Sequence, residues 1–464
     1  MYIPLNSIIA PNPTNSNINS NINISSVNVS LSEVFEGLNK LNLDNTYGPD
    51  QLPPIILFKC RYALAYHLIL IDEQHGFRPQ KSTSTNLLIY YIEILNVIEN
   101  KGQVDAIYTD LSKAFDSVDH GILINKLNMY GISGPLLSWL SSYLIGRTQQ
   151  VIVSGKVSSS FNTFSGVPQG GHLSPLLFLL FINDVKLLFK FCKFSLFADD
   201  LKMYIKMNSV NDCVKLQTDL VRFSNWCSTN KLKINIDKCA IISFTRRKNP
   251  LIHKYSLDNH PITLVSSIKD LGIILSNDLS FNKHISYIYS KAMRMLGFVR
   301  RQCCDFNNII CLKTFYCSLV RSGLEYGSII WNPYQSGLIE RLDRVQCNFL
   351  RHLVFKFELN VSADSLGREL GLHSLTSRRT FNDVSFIFKL LNNKLSSPEI
   401  LEKVNWKVAA FNARSTTTFH VPFQSQSYSF NEPLSPYVKN CNSVAFDFNF
   451  ENEFKLRCLC LGFR

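Results

Sequence analysis

The sequence lacks the cysteine spacing of a structural metal site, and it lacks a long membrane-like apolar run. It holds 13 cysteines, but none forms a CxxC pair matched by a second Cys or His pair, so zinc is not expected. The most apolar stretch, residues 173–191, contains Pro175 and Asp184, which predicts a core helix rather than a membrane span. The first ten residues lack a basic segment followed by an apolar one. We therefore expect no signal peptide and no membrane partner, with reduced thiols in the nucleus or the cytoplasm.

Acidic residues are also scarce. The chain has 35 Asp and Glu against 48 Lys and Arg, a net charge of +13. This excess predicts a polyanionic partner, either nucleic acid or an acidic membrane surface. It is concentrated in residues 231–304, where thirteen Lys or Arg accompany four Asp for a net charge of +9. A solvated surface would show the same composition, so charge alone does not identify the partner.

Hydrophobic periodicity predicts a mixed α+β fold. Hydrophobic residues make up 46% of the 464 residues, enough for a sizeable core and for roughly two to four domains. Residues 1–30 are rich in Asn and Ser without a clear period, which predicts disorder. Helices are predicted over residues 31–41, 84–99, 119–129, 135–145, 174–188, 209–229 and within 284–355. Strands are predicted over residues 103–109, 149–154, 161–164, 194–198 and 201–206.

Two adjacent carboxylates, Asp199 and Asp200, interrupt the apolar residues 194–204. At the tip of a hairpin both could face one site, where the crowded charges need protonation or a cation. Asp110 follows the predicted strand 103–109. If that strand and a strand next to the Asp pair lie side by side, Asp110 and Asp199 converge at neighbouring strand ends, where hard oxygen ligands suit Mg²⁺ with phosphates as further ligands. The alternatives are a solvated turn for Asp199 and Asp200 and a strand-end cap for Asp110.

Residues 165–175 read Ser-Gly-Val-Pro-Gln-Gly-Gly-His-Leu-Ser-Pro and precede a predicted helix. Glycine and proline there permit a ligand to approach the backbone closely. The Gln169 amide can both donate and accept hydrogen bonds at a nucleotide. An ordinary loop-to-helix turn would have a similar composition, so this segment does not decide the function by itself.

In combination and order, these segments resemble the reverse transcriptases of non-LTR (LINE) retrotransposons of the jockey-like type. The resemblance covers roughly residues 31–460. The segments that carry it are Gln-His-Gly-Phe-Arg at 74–78, Tyr-Thr-Asp-Leu-Ser-Lys-Ala-Phe-Asp at 108–116, the loop 165–175, Phe-Ala-Asp-Asp at 197–200, Trp-Cys at 226–227, Asn-Ile-Asp-Lys-Cys at 235–239 and Lys-Asp-Leu-Gly at 269–272.

The resemblance implies an RNA-directed DNA polymerase that adds dNTPs to the 3′-hydroxyl of a DNA primer on an RNA template. Two Mg²⁺ ions, or Mn²⁺ in their place, would serve as cofactors. The fold would be a right-hand polymerase with an antiparallel palm sheet. Its parts would be shortened fingers (31–100), a palm with residual fingers (101–283), a helical thumb (284–355) and a C-terminal extension of unassigned role (356–464).

The resemblance also implies roles for individual residues. Asp110, Asp199 and Asp200 would hold the metal ions, and Lys238 would protonate the leaving pyrophosphate. The residues implied to contact nucleotide, template or primer are Arg78 for the template, Phe115 as a steric gate against the ribose 2′-hydroxyl, Ser165, Gln169 and Gly170 for nucleotide and template, and Leu271 and Gly272 in the primer grip. Each of three residues also has an alternative without a catalytic or binding role: a surface ion pair for Arg78, a core position for Phe115 and a solvated side chain for Lys238.

The sequence departs from the family before residue 74. Residues 60–72 lead straight into the Gln-His-Gly segment, where the family has several dozen more residues, including basic fingers residues that hold the triphosphate. We expect that the family's endonuclease segment does not precede the polymerase here. The expected chain is therefore a truncated or decayed element copy with part of the fingers missing, or the product of a gene model that skips sequence. The alternatives to an active polymerase are a catalytically weak or dead remnant that only binds nucleic acid, and a chain that does not fold stably.

Overall fold

The computed structural model describes residues 70–404, Phe419 and residues 441–442. The predicted disordered segment (1–30), the predicted helix over 31–41 and most of the shortened stretch 60–72 lie outside these residues. The helices are α1 (Thr83–Glu99), α2 (His120–Met129), α3 (Gly134–Leu144), α4 (Ser174–Ile182), α5 (Val210–Thr229), α6 (Asn282–Gln302), α7 (Ile309–Phe315), α8 (Ser322–Glu325), α9 (Ser328–Trp331), α10 (Ser336–Lys356), α11 (Ala363–Glu369), α12 (Leu375–Leu391) and α13 (Pro398–Leu401).

Thirteen short strands lie between these helices. They are β1 (Gln103–Thr109), β2 (Thr148–Gln149), β3 (Ile152–Val153), β4 (Lys156–Val157), β5 (Phe161–Asn162), β6 (Lys193–Phe197), β7 (Asp200–Lys206), β8 (Ala240–Thr245), β9 (Ser256–Leu257), β10 (His260–Pro261), β11 (Thr263–Leu264), β12 (Ser267–Asp270) and β13 (Ile273–Ser276). Irregular helical turns complete the described chain: 3-10 turns at Ala114–Ser117, Asn183–Leu188 and Ile236–Lys238, and a π-helical turn at Tyr316–Arg321.

The central sheet has five strands in the order β11-β8-β1-β7-β6. All neighbours are antiparallel except the edge strand β11, which runs parallel to β8. Thr109 of β1 lies opposite Leu201 of β7, so the end of β1 meets the turn between β6 and β7. This confirms the predicted pairing that brings Asp110 beside Asp199 and Asp200.

The strand alternation of β1 explains why helices cover both faces of this sheet. Val104 and Ala106 are buried in a core that they share with α1, α6 and the later helices. Ile107 points to the opposite face, where it is buried with residues of α2, α4 and α5. Because successive strand residues face opposite ways, one short apolar strand joins two helical layers. The architecture is therefore α+β, as predicted.

Helix α1 begins where its sequence supplies a capping box. The Ser82 hydroxyl accepts from the Thr85 backbone N–H, and the Thr85 hydroxyl accepts from the Ser82 N–H. The helix ends before Gly102, in agreement with the predicted 84–99. Helix α4 ends earlier than predicted, at Ile182, and continues as a 3-10 turn to Leu188. No helix that the structure describes is both long and apolar enough to cross a membrane.

The region 148–162 differs from the prediction. The two strands predicted over 149–154 and 161–164 form four two-residue strands, with β2 paired to β5 and β3 paired to β4. Their residues are all solvent-exposed. A ribbon without a covering layer has no buried face to hold longer ladders together, which accounts for the short strands.

Candidate active site

The two adjacent aspartates lie at the β6–β7 turn. Phe197 pairs with Asp200 across the hairpin, so Ala198 and Asp199 form a two-residue turn. Ala198 has a φ of 55°, a left-handed conformation that suits glycine better than alanine. The turn removes Asp199 from the strand alternation, so its carboxylate is not forced to the face opposite Asp200.

The side chain of Gln74 forms hydrogen bonds with this turn. Its side chain is 2% exposed, and its Oε1 accepts from the backbone N–H groups of Ala198 at 2.8 Å and Gly76 at 2.7 Å. Its Nε2 donates to the Ala198 carbonyl at 3.0 Å. A Cβ at position 76 would lie 2.3 Å from the Ala198 nitrogen, so only glycine fits there. The Gln-His-Gly segment is one of those that carry the family resemblance, but the sequence predicted no role for Gln74.

We predict that Gln74→Leu lowers the free energy of unfolding by about 2–4 kcal/mol, because three buried backbone groups lose their partner. Adding Ala198→Gly should recover about 1 kcal/mol by relieving the left-handed alanine. Urea denaturation measures both effects. Gln217 is a matched control, because its amide also bonds both backbone groups of one residue, Ser256, but at an exposed position. An equal cost for Gln217→Leu would show that burial of the Gln74 amide is unimportant.

Asp110, Asp199 and Asp200 lie where the end of β1 adjoins the β6–β7 turn. Asp110 follows β1, and its Oδ2 lies 3.3 Å from Nζ of Lys238, on the 3-10 turn before β8. Asp110, Asp200 and Lys238 line a cleft of about 350 Å³. The other residues that line this cleft are Asn86, Tyr108, Thr109, Phe197, Leu201, Lys202, Ile268, Lys269, Asp270 and Leu271.

Burial, together with repulsion from neighbouring carboxylates, raises the pKa values of Asp199 and Asp200. Burial, followed by the charges of Asp199, Asp270 and Asp110, raises the pKa of Asp200 to about 6. Burial and the Asp110 charge also raise the pKa of Asp199. The ionised carboxylates are therefore close enough to destabilise one another, and a cation between them would relieve the repulsion.

The donor chemistry fits a hard divalent cation. Within the described part of the chain, no group of three or more His, Cys, Asp or Glu side chains is arranged to hold a metal ion. Mg²⁺ usually takes one or two carboxylates and completes its shell with water and substrate phosphates. Two of the predicted carboxylates, Asp110 and Asp200, line the cleft, which matches that number of protein ligands.

In EDTA, stability is expected to depend on pH through Asp200. A carboxyl pKa raised from 3.8 to about 6 favours the folded state below about pH 4, and this contribution is lost as pH rises through about 6. Asp200→Asn should therefore raise the urea midpoint at pH 8 and leave it nearly unchanged at pH 4. The gain should stay under about 1 kcal/mol, because solvent reaches this side chain. Asp237→Asn, at an exposed position, is the control; an equal change there would contradict the assignment to Asp200.

Phe115 lies between two other aromatic rings. It stacks on Phe178 with 4.2 Å between ring centroids and meets Phe77 edge-on at 5.9 Å. Phe178 is fully buried, whereas Phe77 is 58% exposed, so Phe115 is at the boundary between core and solvent. This placement is compatible with both predicted roles, the core aromatic and the steric gate.

The loop 165–173 packs on the segment that carries Phe115. The Ser165 hydroxyl donates to the Asp116 carbonyl at 2.9 Å, and the Gln169 Nε2 donates to the Asp116 carboxylate at 2.8 Å. Gln169 and Gly170 are both exposed. The predicted nucleotide-binding loop therefore packs on the segment between β1 and α2, next to Phe115. The residues that line the cleft are not part of this loop.

The remaining predicted residues lie at two places. Leu271 lines the cleft, and with Gly272 it forms the turn between β12 and β13. Arg78 instead donates to the Ile71 carbonyl at 2.6 Å and lies 3.8 Å from the Asp72 carboxylate. Its guanidinium is therefore held by its own segment, as the ion-pair alternative requires.

Comparison with known proteins places these features in a family. The family model described as "Reverse transcriptase (RNA-dependent DNA polymerase)" matches residues 59–300. The probable RNA-directed DNA polymerases of Drosophila melanogaster from transposon X-element and transposon BS are each 27% identical to the chain, over 70% and 66% of it. The RNA-directed DNA polymerase from mobile element jockey of the same organism is 28% identical over 60% of the chain.

The aligned regions cover 37%, 35% and 31% of these three relatives, so the chain spans about a third of their length. Among solved structures, apo telomerase from Candida Tropicalis is 14% identical over 71% of this chain and 51% of that chain, with a TM-score of 0.38. That value is too low to define the fold by comparison.

Proposed function

Since the chain belongs to the reverse transcriptase family, with relatives encoded by non-LTR retrotransposons, we propose that it extends the 3′-hydroxyl of a DNA primer with dNTPs on an RNA template. The observation that carries this proposal is the antiparallel pairing of β1 with β7, which brings Asp110 to the β6–β7 turn that holds Asp199 and precedes Asp200. No single motif in the sequence specifies that pairing.

A chain with this function would have the parts of a right-hand polymerase in the following segments. Residues 101–283, with the five-stranded sheet, would be the palm and residual fingers, and residues 31–100 the shortened fingers. The helices of 284–355 would be the thumb, leaving 356–464 as an extension. Support comes from α6, whose exposed face carries Lys283, Lys291, Arg294 and Arg301 opposite a buried apolar face. Such a basic face suits a nucleic-acid backbone.

Asp110, Asp199 and Asp200 would hold two Mg²⁺ ions, or Mn²⁺ in their place. When bound, the ions would stabilise the charge that develops on the attacking and leaving oxygens of phosphoryl transfer. Nζ of Lys238 lies 3.3 Å from the Asp110 carboxylate, at the edge of the same cleft. From there it would protonate the leaving pyrophosphate as a general acid.

The other predicted residues would position the substrates. Phe115, wedged between two rings, would limit space at the sugar 2′-position. Ser165, Gln169 and Gly170 would place the incoming nucleotide and the template base, and the Leu271-Gly272 turn would hold the primer end. Arg78 would have to release the Ile71 carbonyl before it could contact the template. We therefore assign Arg78 a smaller part in template binding than the other residues.

Primer extension tests the proposal. A labelled DNA primer on an RNA template should be extended by the template-matched dNTP in Mg²⁺, and EDTA or Asp110→Ala should abolish the product. Binding of the same primer–template, measured in parallel, separates the two candidate functions. Salt-sensitive binding without extension, even at high dNTP in Mn²⁺, would overturn the polymerase and leave a nucleic-acid-binding remnant.

A further inference from the structure

A buried ion pair links the strand that carries Asp200 to the predicted primer-grip turn. Nζ of Lys202, two residues after Asp200 on β7, lies 2.6 Å from Oδ2 of Asp270. Asp270 is the last residue of β12 and directly precedes the Leu271-Gly272 turn. The two charged residues are only 4% and 7% exposed, although both line the cleft.

Two tyrosines complete the surroundings of this pair. The Tyr108 hydroxyl donates to the same Asp270 oxygen at 3.1 Å, and it lies 3.0 Å from the Tyr90 hydroxyl. The Lys202 ammonium lies 4.4 Å from the centroid of the Tyr90 ring. Tyr108 is on β1, two residues before Asp110, so the network joins Asp270 to both strands that carry the metal-binding carboxylates.

The primer-grip turn is also held from the other side. Tyr326, which follows α8, donates from its hydroxyl to the Leu271 carbonyl at 2.9 Å. Gly272 has a φ of 91°, and a Cβ there would lie 3.0 Å from the Tyr326 ring. The turn therefore has directional contacts to the sheet through Asp270 and to the following helices through Leu271.

We propose that Lys202 and Asp270 are positioning residues that hold the Leu271-Gly272 turn at a fixed distance from Asp199 and Asp200, and so align the primer 3′-hydroxyl for attack. The inference rests on the proposed polymerase function. Apolar side chains could fill the same space at similar stability, because the desolvation of a buried ion pair offsets most of its attraction. The pair adds a short, directional bond that ties β12 to β7.

Misalignment of a reacting atom by about 1 Å can cost about 100-fold in rate. Lys202 is well suited to prevent it, because β7 is paired on both sides and fixes the register of Lys202 and Asp200 together. The turn, by contrast, belongs to a two-stranded sheet that has no ladder to β7. The side-chain bond takes the place of the missing backbone pairing.

The double variant Lys202→Met with Asp270→Leu tests this proposal. It removes both charges together, so neither is left buried and unpaired, which is the risk in either single variant. The affinity for primer–template should stay within about twofold, whereas the single-turnover rate of dNMP incorporation should fall about 10- to 100-fold. A 2-aminopurine at the primer 3′ end should fluoresce differently in the complex with the double variant than in the complex with the wild type, because the double variant holds the primer terminus less well.

Lys193→Met is the matched control, because it removes an exposed ion pair with Glu93 from the neighbouring strand β6. It should change neither rate nor fluorescence. Tyr326→Phe, which loses only one hydroxyl, should lower the rate about 3- to 10-fold at unchanged affinity.

Wild-type rate and terminus fluorescence in the double variant would overturn the positioning role. So would a loss of affinity as large as the loss of rate. A wild-type protein that binds primer–template without incorporation would overturn the polymerase function instead, and the fluorescence comparison would still decide whether the pair orders the primer end.

Discussion

Replacing Asp199 by alanine is expected to abolish primer extension, with a loss of at least about 10³-fold in rate. Asp199 is in the β6–β7 turn, where burial and the charge of Asp110 raise its pKa, so the two carboxylates interact electrostatically. Under the proposed function, removing one of them would deprive the metal ions of a ligand at the point where phosphoryl transfer depends on charge stabilisation. Single-nucleotide incorporation on an RNA template measures the effect.

Two companion measurements make the Asp199→Ala result specific. Primer–template affinity should be retained, because phosphate contacts of basic residues supply most of it. Asp237→Ala removes an exposed carboxylate next to Lys238 and should extend like wild type. Equal extension by Asp199→Ala and wild type would refute a catalytic role for the turn.

Replacing Phe115 by alanine or valine is expected to raise the ratio of ribonucleotide to deoxyribonucleotide incorporation by about 10- to 100-fold. The reason is steric: the ring is fixed by stacking on buried Phe178, so it cannot move aside for a 2′-hydroxyl. A smaller side chain opens that space. Competing rNTP and dNTP of the same base on one template gives the ratio directly.

Phe164→Ala is the control for Phe115, because Phe164 is an aromatic residue that directly precedes the same loop but is 84% exposed. It should leave the nucleotide ratio unchanged. If Phe115→Ala also leaves the ratio unchanged while lowering stability, Phe115 is a packing residue and not a gate.

The sequence predicted the parts of the site that depend on local pattern. Strand 103–109 was predicted to the residue, because an apolar run between Gly102 and Asp110 has a clear start and end. The hairpin around Ala198 and Asp199 was predicted because two polar acids interrupt two apolar runs. The pairing of these strands was only a condition of the prediction, because no local pattern specifies which strands become neighbours.

Other parts could not be predicted, because they depend on polar contacts between residues far apart in sequence. Gln74 and Ala198 are 124 positions apart, and Lys202 and Asp270 are 68 apart. Neither pair produces periodicity, and a buried glutamine or lysine looks like a surface residue in composition. Strands β8, β12 and β13 were not predicted either, although β12 and β13 flank the Leu271-Gly272 turn.

The central claim is that Asp110, Asp199 and Asp200 support metal-dependent nucleotidyl transfer on an RNA template. The measurement that tests it most directly is the single-turnover rate of one templated dNMP addition as a function of Mg²⁺ concentration. Two cooperating ions predict a rate that rises more steeply than in direct proportion to Mg²⁺ at low concentration, is absent in EDTA and follows the template base. Tight binding of primer–template with no incorporation at any Mg²⁺ or Mn²⁺ concentration would contradict the claim.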